Sequence, residues 1–389
     1  MILKIAHITL TMRDGGGGLE SLIVNMARSM DPELYSVTVG CLDHGGSLLN
    51  HIHGMNYDSF VTGRRPGIDW KLIFKLARIF TKRKFQIVHS HNQTAHFYAG
   101  IAAKLARVPV IVITEHSRHN TELLWRRKLE KRLLYGITDK WVVVSKELAE
   151  QSMQEDGLGK SKLQVIRNGV EFTHYNNGQH MDVQQREQIK KQLDLPENSQ
   201  IIIMVARLHP IKNHTLFLDT FAIINDKLPD VHVLFVGDGE CRGALIQQSK
   251  KLNLENKIHF LGFQENVAEL LGISDVFVLC SKTEGLPVSL LEACAAQVPV
   301  VITRPSNKAG LIKNKLNGIE VSDNPDDLAD GLATILTNPE DAAEMALKSS
   351  KQVKKEFSLA RMTREYENVY MDLLTEKGFS ANISSGESA

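Results

Sequence analysis

The sequence predicts an α/β protein made of two doubly wound, Rossmann-like domains facing a central cleft. Three observations carry that expectation. Short apolar, β-branched runs alternate with helical patterns from Ile2 to about residue 168, and the alternation starts again at Ile201. Between the two series, Phe172 to Gln200 is polar, shows no strand pattern and is broken by Pro196. In both series the strands run into loops rich in Gly, His, Lys or Glu, at the edge where open parallel sheets take their ligands. A length of 389 residues also favours two domains over one. The expected boundaries are a first domain over 1–172, a linker over 173–199 and a second domain over 200–356. Phe357, Leu359, Met362, Tyr366, Val369, Tyr370 and Leu373 form one face of a last helix over 357–375, and 376–389 is a Ser/Gly/Glu-rich, disordered tail.

Composition narrows the function classes. The formal net charge is +1, which gives no global case for nucleic acid. Four widely spaced cysteines, Cys41, Cys241, Cys280 and Cys294, argue against a disulfide framework or a zinc site and for a reducing compartment. The opening MILKIAHITL reads as a strand and not as a signal peptide. No apolar run approaches the roughly 20 residues a spanning helix needs. A cytoplasmic protein is expected.

In chain order, Ile2–Leu10 is a first parallel strand. It ends in TMRDGGGGLES before a helical pattern of Leu19, Leu22, Ile23, Met26 and Met30. Strand, glycine loop and helix bring backbone amides close to a phosphate, although no G-x-G-x-x-G register fits and a plain flexible turn is the competing reading. Ser36–Leu42 is the next strand. IDWKLIFKLARIFTKRKF then spaces Trp70, Ile73, Phe74, Ala77 and Phe80 as one helical face. Phe85–His89 is a strand followed by SHNQTAHF; the pair His89 and His91 invites a metal, but without a nearby acidic ligand it reads as structural. Val108–Thr114 is a fully buried strand with Glu115, His116 and Ser117 at its carboxyl end. A basic helix, the strand WVVVS ending at Ser145, and the strand LQVIRN close the first series.

The second series runs through Ile201–Val205, Val231–Val236, Ile258–Leu261, Val276–Leu279 and Val298–Ile302. Arg207 and Lys212 follow its first strand on a loop, where two cations suit a diphosphate; ordinary surface charge is the alternative. LFVGDGE ends its strand in a tight Gly-Asp-Gly turn. After Val276–Leu279 come the loop SKTEG and a short helix, with Pro287 expected at the first helical position. Glu284 then lies in the loop and Glu292 inside the helix. By spacing alone these two carboxylates are equally a capping loop and a solvated helix face.

Read together, E-G-L-P-V-S-L-L-E (Glu284–Glu292), A-R-L-H-P-I-K (Ala206–Lys212) and the GGGLE loop resemble retaining glycosyltransferases of family 4, glycosyl transferases group 1, which have the GT-B architecture. FQIVHSH, VSKEL and VIRNGVE are similar to further phrases of that family, so the likeness covers nearly the whole chain. The resemblance implies a metal-independent, hexosyltransferase-type enzyme. It would move a sugar with retention from a nucleotide-diphospho-sugar, a co-substrate, to an acceptor hydroxyl in surface polysaccharide or glycolipid synthesis. No separate cofactor is implied.

The same resemblance assigns roles. Arg207 and Lys212 would bind the donor pyrophosphate, with Gly16 and Gly17 lying over it. Glu284 with Gly285, Leu286, Pro287 and Val288 would hold the sugar, Glu292 the ribose and Phe263 the base, while His116 would face the anomeric carbon. Two departures stand out: Asn213 and His214 replace the usual glycine after the lysine, and RPSNKAG after Thr303 replaces a glycine-rich turn. The sequence has no Asp-x-Asp pair for chelating a metal, so the leaving diphosphate falls to Arg207 and Lys212. Each such charge about 4 Å from a phosphate oxygen contributes roughly 4 kcal/mol at an effective dielectric of about 20. An epimerase or hydrolase of the same fold, or a non-catalytic nucleotide-sugar-binding subunit, are the rival readings.

Charge within the chain is uneven. Arg64–Lys84 holds eight Lys/Arg against one acid, and Arg118–Lys140 seven against three. With Trp70, Phe74 and Trp125 among them, these segments suit a peripheral contact with an anionic membrane face, or apolar residues turned to the core with solvated lysines opposite.

Overall fold

The computed structural model describes residues 2–12, 18–116, 124–176 and 181–379. Thirteen strands are seen among them. The first unit contains β1 (Leu3–Thr11), β2 (Tyr35–His44), β3 (Asp58–Val61), β4 (Ile87–His91), β5 (Val110–Glu115), β6 (Lys140–Val143) and β7 (Leu163–Val165). The second contains β8 (Gln200–Val205), β9 (Val231–Val236), β10 (Ile258–Gly262), β11 (Val276–Leu279), β12 (Val300–Thr303) and β13 (Ile319–Val321). Residues from Ala360 onward belong to the first unit, and 168–359 to the second.

Both sheets are wholly parallel. Their orders are β3-β2-β1-β4-β5-β6-β7 and β10-β9-β8-β11-β12-β13. Each is therefore a Rossmann sheet, with the order reversing beside its first strand: at β1/β4 in one unit and β8/β11 in the other. The expected strands all form close to their sequence-read limits, except that β7 stops at Val165, short of Asn168. β3 and β13 were not legible. They are four and three residues long, lie at sheet edges and are partly exposed, so neither shows the continuous apolar run of a central strand.

The helix Trp70–Arg83 corrects one expected face. Leu72, Ile73, Leu76 and Phe80 are its buried residues, whereas Trp70 is 58% and Phe74 68% exposed. The helix carries apolar residues over more than one face. The core takes the set that meets Ala95, Ala99, Ala102 and Ala103 of the helix Gln93–Leu105, whose small side chains admit close approach. Phe357, Leu359, Met362, Tyr366, Val369, Tyr370 and Leu373 are all buried, as their spacing predicts. In the last helix, Leu359–Glu376, Tyr366 and Tyr370 reach the first unit's sheet: Tyr370 Oη lies 2.6 Å from His89 Nδ1 and Tyr366 Oη 3.0 Å from Thr114 Oγ1.

Candidate active site

In the second unit the loops after β8 and β11 emerge on either side of the point where strand order reverses. After β8, His209 accepts a hydrogen bond from the Ile211 amide and opens a 3-10 turn, Pro210–Lys212. The turn ends at Asn213, whose φ is 59° and ψ 37°. That left-handed conformation costs glycine nothing and asparagine little, so Asn213 can stand where the resemblance leads one to expect glycine. The Gly-Asp-Gly turn after β9 backs this loop. A Cβ on Gly237 would come within 2.3 Å of the Ala206 carbonyl oxygen, and one on Gly239 within 2.4 Å of that of Leu208.

The two loops are joined. Lys282 N donates to the Ile211 carbonyl at 2.8 Å, and Lys212 Nζ meets Glu284 Oε1 at 2.5 Å. Beneath them, the buried Cys280 Sγ lies 3.4 Å from the Asn213 carbonyl oxygen. Arg207 is half-buried on the same loop. The Glu284–Lys212 pair is only partly shielded, with side chains 9% and 25% exposed, so an anion can reach the lysine.

Residues Gly285 to Val288 lead into the helix Val288–Ala295. Asn168 Nδ2 donates to the Leu286 carbonyl at 2.9 Å and fixes the approach. Pro287 is not the first helical residue as expected. Its ψ of 127° is extended, so it stands one place earlier, as the N-cap, and helical geometry starts at Val288. Glu292 is 7% exposed, which overturns a solvated helix face. Tyr175 Oη donates to its Oε1 at 2.7 Å. Burial raises the Glu292 carboxyl to about 7, against a smaller lowering by the Tyr175 hydrogen bond. Phe263 is half-buried just past β10, whose end pairs with Gly237.

The corresponding edge of the first unit is built from histidines. His7 on β1, His89 and His91 on β4 and His116 after β5 follow from strand register, with His7 opposite His89 and His91 opposite Thr114. His7 Nδ1 lies 3.1 Å from His91 Nε2, and His91 Nδ1 3.1 Å from His116 Nε2. Burial pushes His7 down to about 3 and His91 well below the ordinary imidazole range, so both are neutral. Asn92 holds φ 68° and ψ 158°, a region almost reserved for glycine and costing about 1–3 kcal/mol. Its Oδ1 accepts from the His116 amide at 3.2 Å.

His7, His89 and His91 are close enough for one metal ion. However, His89 already engages Tyr370 and Thr114, and His91 engages His7 and His116, so an ion would have to break these hydrogen bonds. Behind His116, Lys131 Nζ sits 2.7 Å from Glu115 Oε1 and 2.8 Å from Asp156 Oδ2, and Trp141 Nε1 donates to Glu115 Oε2.

Of the residues singled out from sequence, Arg207, Lys212, Glu284 to Val288 and Glu292 share one sheet edge of the second unit. Phe263 follows β10 in that unit, and His116 ends β5 in the first. Gly16 and Gly17 lie outside the described residues, as do Ser117 and the side chain of Trp125. Sequence reasoning missed three functional candidates: Tyr175, Asn92 and His7. Asn92 had a faint signal, since it ends HSHN at a strand terminus; Tyr175 and His7 had none, because only folding brings them to their partners.

Two Rossmann units, one gathering paired cations and carboxylates at its switch point, make up the GT-B architecture. The family described as Glycosyl transferases group 1 matches residues 185–352, and that described as Glycosyltransferase Family 4 matches 16–174. The UDP-Gal:alpha-D-GlcNAc-diphosphoundecaprenol alpha-1,3-galactosyltransferase of Escherichia coli is 25% identical over 96% of this chain and 98% of its own. The N-acetyl-alpha-D-glucosaminyl L-malate synthase of Bacillus anthracis is 28% identical over 97% and 98%. In fold, Anabaena HepE, solved with UDP and glucose, superposes with a TM-score of 0.80 at 19% identity, over 95% of this chain and 99% of that one. The chain belongs to the group 1 glycosyltransferases of family 4. It is a glycosyltransferase that moves a sugar from a nucleotide-sugar to an acceptor, which leaves the epimerase and binding-only readings without support.

Proposed function

We propose a retaining, metal-independent transferase that takes its sugar from a UDP-sugar bound by the second unit and passes it to a lipid-linked or envelope-glycan acceptor bound by the first. The observation that carries this reading is the Lys212–Glu284 pair at the β8/β11 switch point, a cation and a carboxylate on two adjoining loops. The diphosphate replaces Glu284 as the counter-ion of Lys212, with Arg207 as its second cation. Glu284, freed, accepts from sugar hydroxyls, and the amides of Gly285 to Val288 donate to the bound donor. Glu292 takes the ribose diol and Phe263 lies against the base. The acceptor oxygen bonds to the anomeric carbon on the face from which the diphosphate departs; that carbon's bond to the phosphate oxygen breaks, and the same oxygen receives the acceptor's proton. Charge grows on the diphosphate during the step, so both cations act more strongly in the transition state than in the ground state. UDP is supported as the nucleotide by the names of the E. coli relative and the HepE complex.

A membrane surface for the acceptor is supported by Ile68, Trp70 and Phe74, which are 63%, 58% and 68% exposed. Lys71, Lys75, Arg78 and Lys82 are exposed on the same helix. Each cation near anionic lipid adds about 1 kcal/mol. No helix among the described residues is long and apolar enough to cross a membrane. The contact proposed is a peripheral one, made by this helix face on the cytoplasmic side.

The test is transfer from a panel of labelled UDP-sugars to undecaprenyl-diphosphate-linked sugars, with EDTA and with added Mg²⁺. Product with a retained anomeric configuration that survives EDTA is expected. Inversion, or activity restored only by metal, overturns the corresponding part. UDP at about 100 times its Kd should stabilise the protein by about 2.7 kcal/mol, and GDP and ADP less. Co-sedimentation with anionic vesicles at low salt, lost on Trp70→Ser/Phe74→Ser, tests the surface.

A further inference from the structure

Beneath His116, three rings form a column in which every link is a nitrogen–nitrogen hydrogen bond: His7 Nδ1 to His91 Nε2, then His91 Nδ1 to His116 Nε2, each 3.1 Å. The rings of His7 and His91 are stacked 5.4 Å apart, and those of His91 and His116 likewise 5.4 Å. His7 and His91 are buried, and His7 Nε2 has no hydrogen-bond partner among the described residues. We propose that His7 and His91 are positioning residues that hold His116 in its neutral tautomer with the proton on Nδ1, so that His116 serves the reaction as a hydrogen-bond donor from Nδ1 and not as a base.

The direction of the column follows from counting protons. A neutral imidazole has one N–H and one bare nitrogen. His7 is kept neutral by burial and has a single partnered nitrogen, Nδ1. Placing the proton on Nε2 would leave a buried N–H with no acceptor, the rarer and costlier defect. His7 therefore donates from Nδ1. His91 Nε2 must accept, which sends the proton of His91 to Nδ1. His91 in turn donates to His116 Nε2, and a neutral His116 is left with its proton on Nδ1. Protonating His116 would set two N–H groups against each other unless both lower rings changed tautomer together, so the column also resists an imidazolium at its top.

The ionisable neighbours that bear on His91 are His89, His7 and His116. His89 is itself closed by Tyr370 and Thr114, and Tyr366 bonds Thr114 from the last helix. The nearby Glu115 carboxylate is occupied by Lys131 and Trp141. At the top, the Asn92 side chain holds the His116 backbone amide, which fixes where the ring stands. The effect on activity rests on the proposed transfer reaction and on the place beside the anomeric carbon that the resemblance gives His116; the tautomer does not.

The experiment is ring-nitrogen NMR of the whole protein labelled with ¹⁵N-histidine, with His116 assigned by His116→Gln. Wild-type His116 is expected to keep a protonated Nδ1 and a bare Nε2 across the range where free histidine titrates, around pH 6.5. His7→Phe removes the bottom donor, and His116 should then mix tautomers and take up a proton as pH falls through about 6.5. His91→Asn retains a donor near the Nδ1 position and should keep the wild-type tautomer and most of the activity. His91→Asp offers only an acceptor, so His116 should become protonated on Nε2 and kcat should fall by about tenfold or more. Thermal melts separate that result from loss of fold. A wild-type His116 with a bare Nδ1, an ordinary titration, or equal behaviour of the Asn and Asp variants would overturn the proposal. If instead the tautomers behave as stated but His116→Ala keeps full activity, the column stands and the catalytic role of His116 fails.

Discussion

Each unit sets a lysine against a glutamate at the carboxyl end of a central strand, and the two pairs differ in everything but that. Lys131 in the first unit is 5% exposed and bridges two buried carboxylates, Glu115 and Asp156, with Trp141 closing the remaining oxygen. Lys212 in the second is 25% exposed and holds one carboxylate, Glu284, across two loops. The first network is closed: its donors and acceptors already have partners, and nothing from solution can enter. The second is open on the lysine side. The two pairs thus differ in the access left beside them, and not in residue type or distance, and on the function proposed above that access is what a ligand needs.

Substitutions at the two lysines should therefore part company. Lys131→Met leaves Glu115 and Asp156 buried without their cation, and should destabilise the protein by about 3–5 kcal/mol, read by denaturant unfolding. A loss under about 1 kcal/mol would mean that the first network is as dispensable as a surface pair. Lys212→Ala should leave the melting temperature nearly unchanged and lower kcat by about 10²–10³-fold, more than it raises KM for the donor, with Arg207→Ala smaller in the same direction. Steady-state kinetics showing only a raised KM would reduce both cations to anchors.

Glu292 sharpens the contrast, because it is a buried acid with one neutral partner. Its folded-state value of about 7 lies above the ordinary 4.5, so its contribution to stability is full below about pH 4.5 and is lost as pH rises through 7. Glu292→Gln should then raise the melting temperature of the ligand-free protein at pH 8, by at most about 3 kcal/mol of stability, and the gain should vanish toward pH 4.5. The same variant should bind UDP more weakly at pH 8, since an amide is a poorer acceptor for the ribose hydroxyls. Calorimetry at the two pH values checks both signs. The smallest effect is expected at Asn213. Asn213→Gly should change stability and activity by less than about 0.5 kcal/mol, whereas Asn213→Val, forced into a left-handed backbone, should cost at least about 1 kcal/mol.

The order of strands and helices and the chemistry of each loop are written in local sequence. A buried parallel strand is a short apolar run, a helix repeats every 3.6 residues, and Gly-Asp-Gly or Pro287 marks a turn whatever surrounds it. That is why Arg207, Lys212, Glu284 and Glu292 stand out from the order of residues alone. Short edge strands such as β3 and β13, and the choice between Trp70 and Leu72 as the buried side of one helix, are not local. They depend on which neighbour is present to pair or pack. The same holds for the contacts that give the site its chemistry. Lys212 meets Glu284 across 72 residues, Tyr175 meets Glu292 across 117, and His7 meets His91 across 84. The sequence by itself determined which ionisable groups stand at the sheet edges. Only the tertiary structure decided which are charged, which are neutral and which still have room for a ligand, because burial and partners from distant segments set those states.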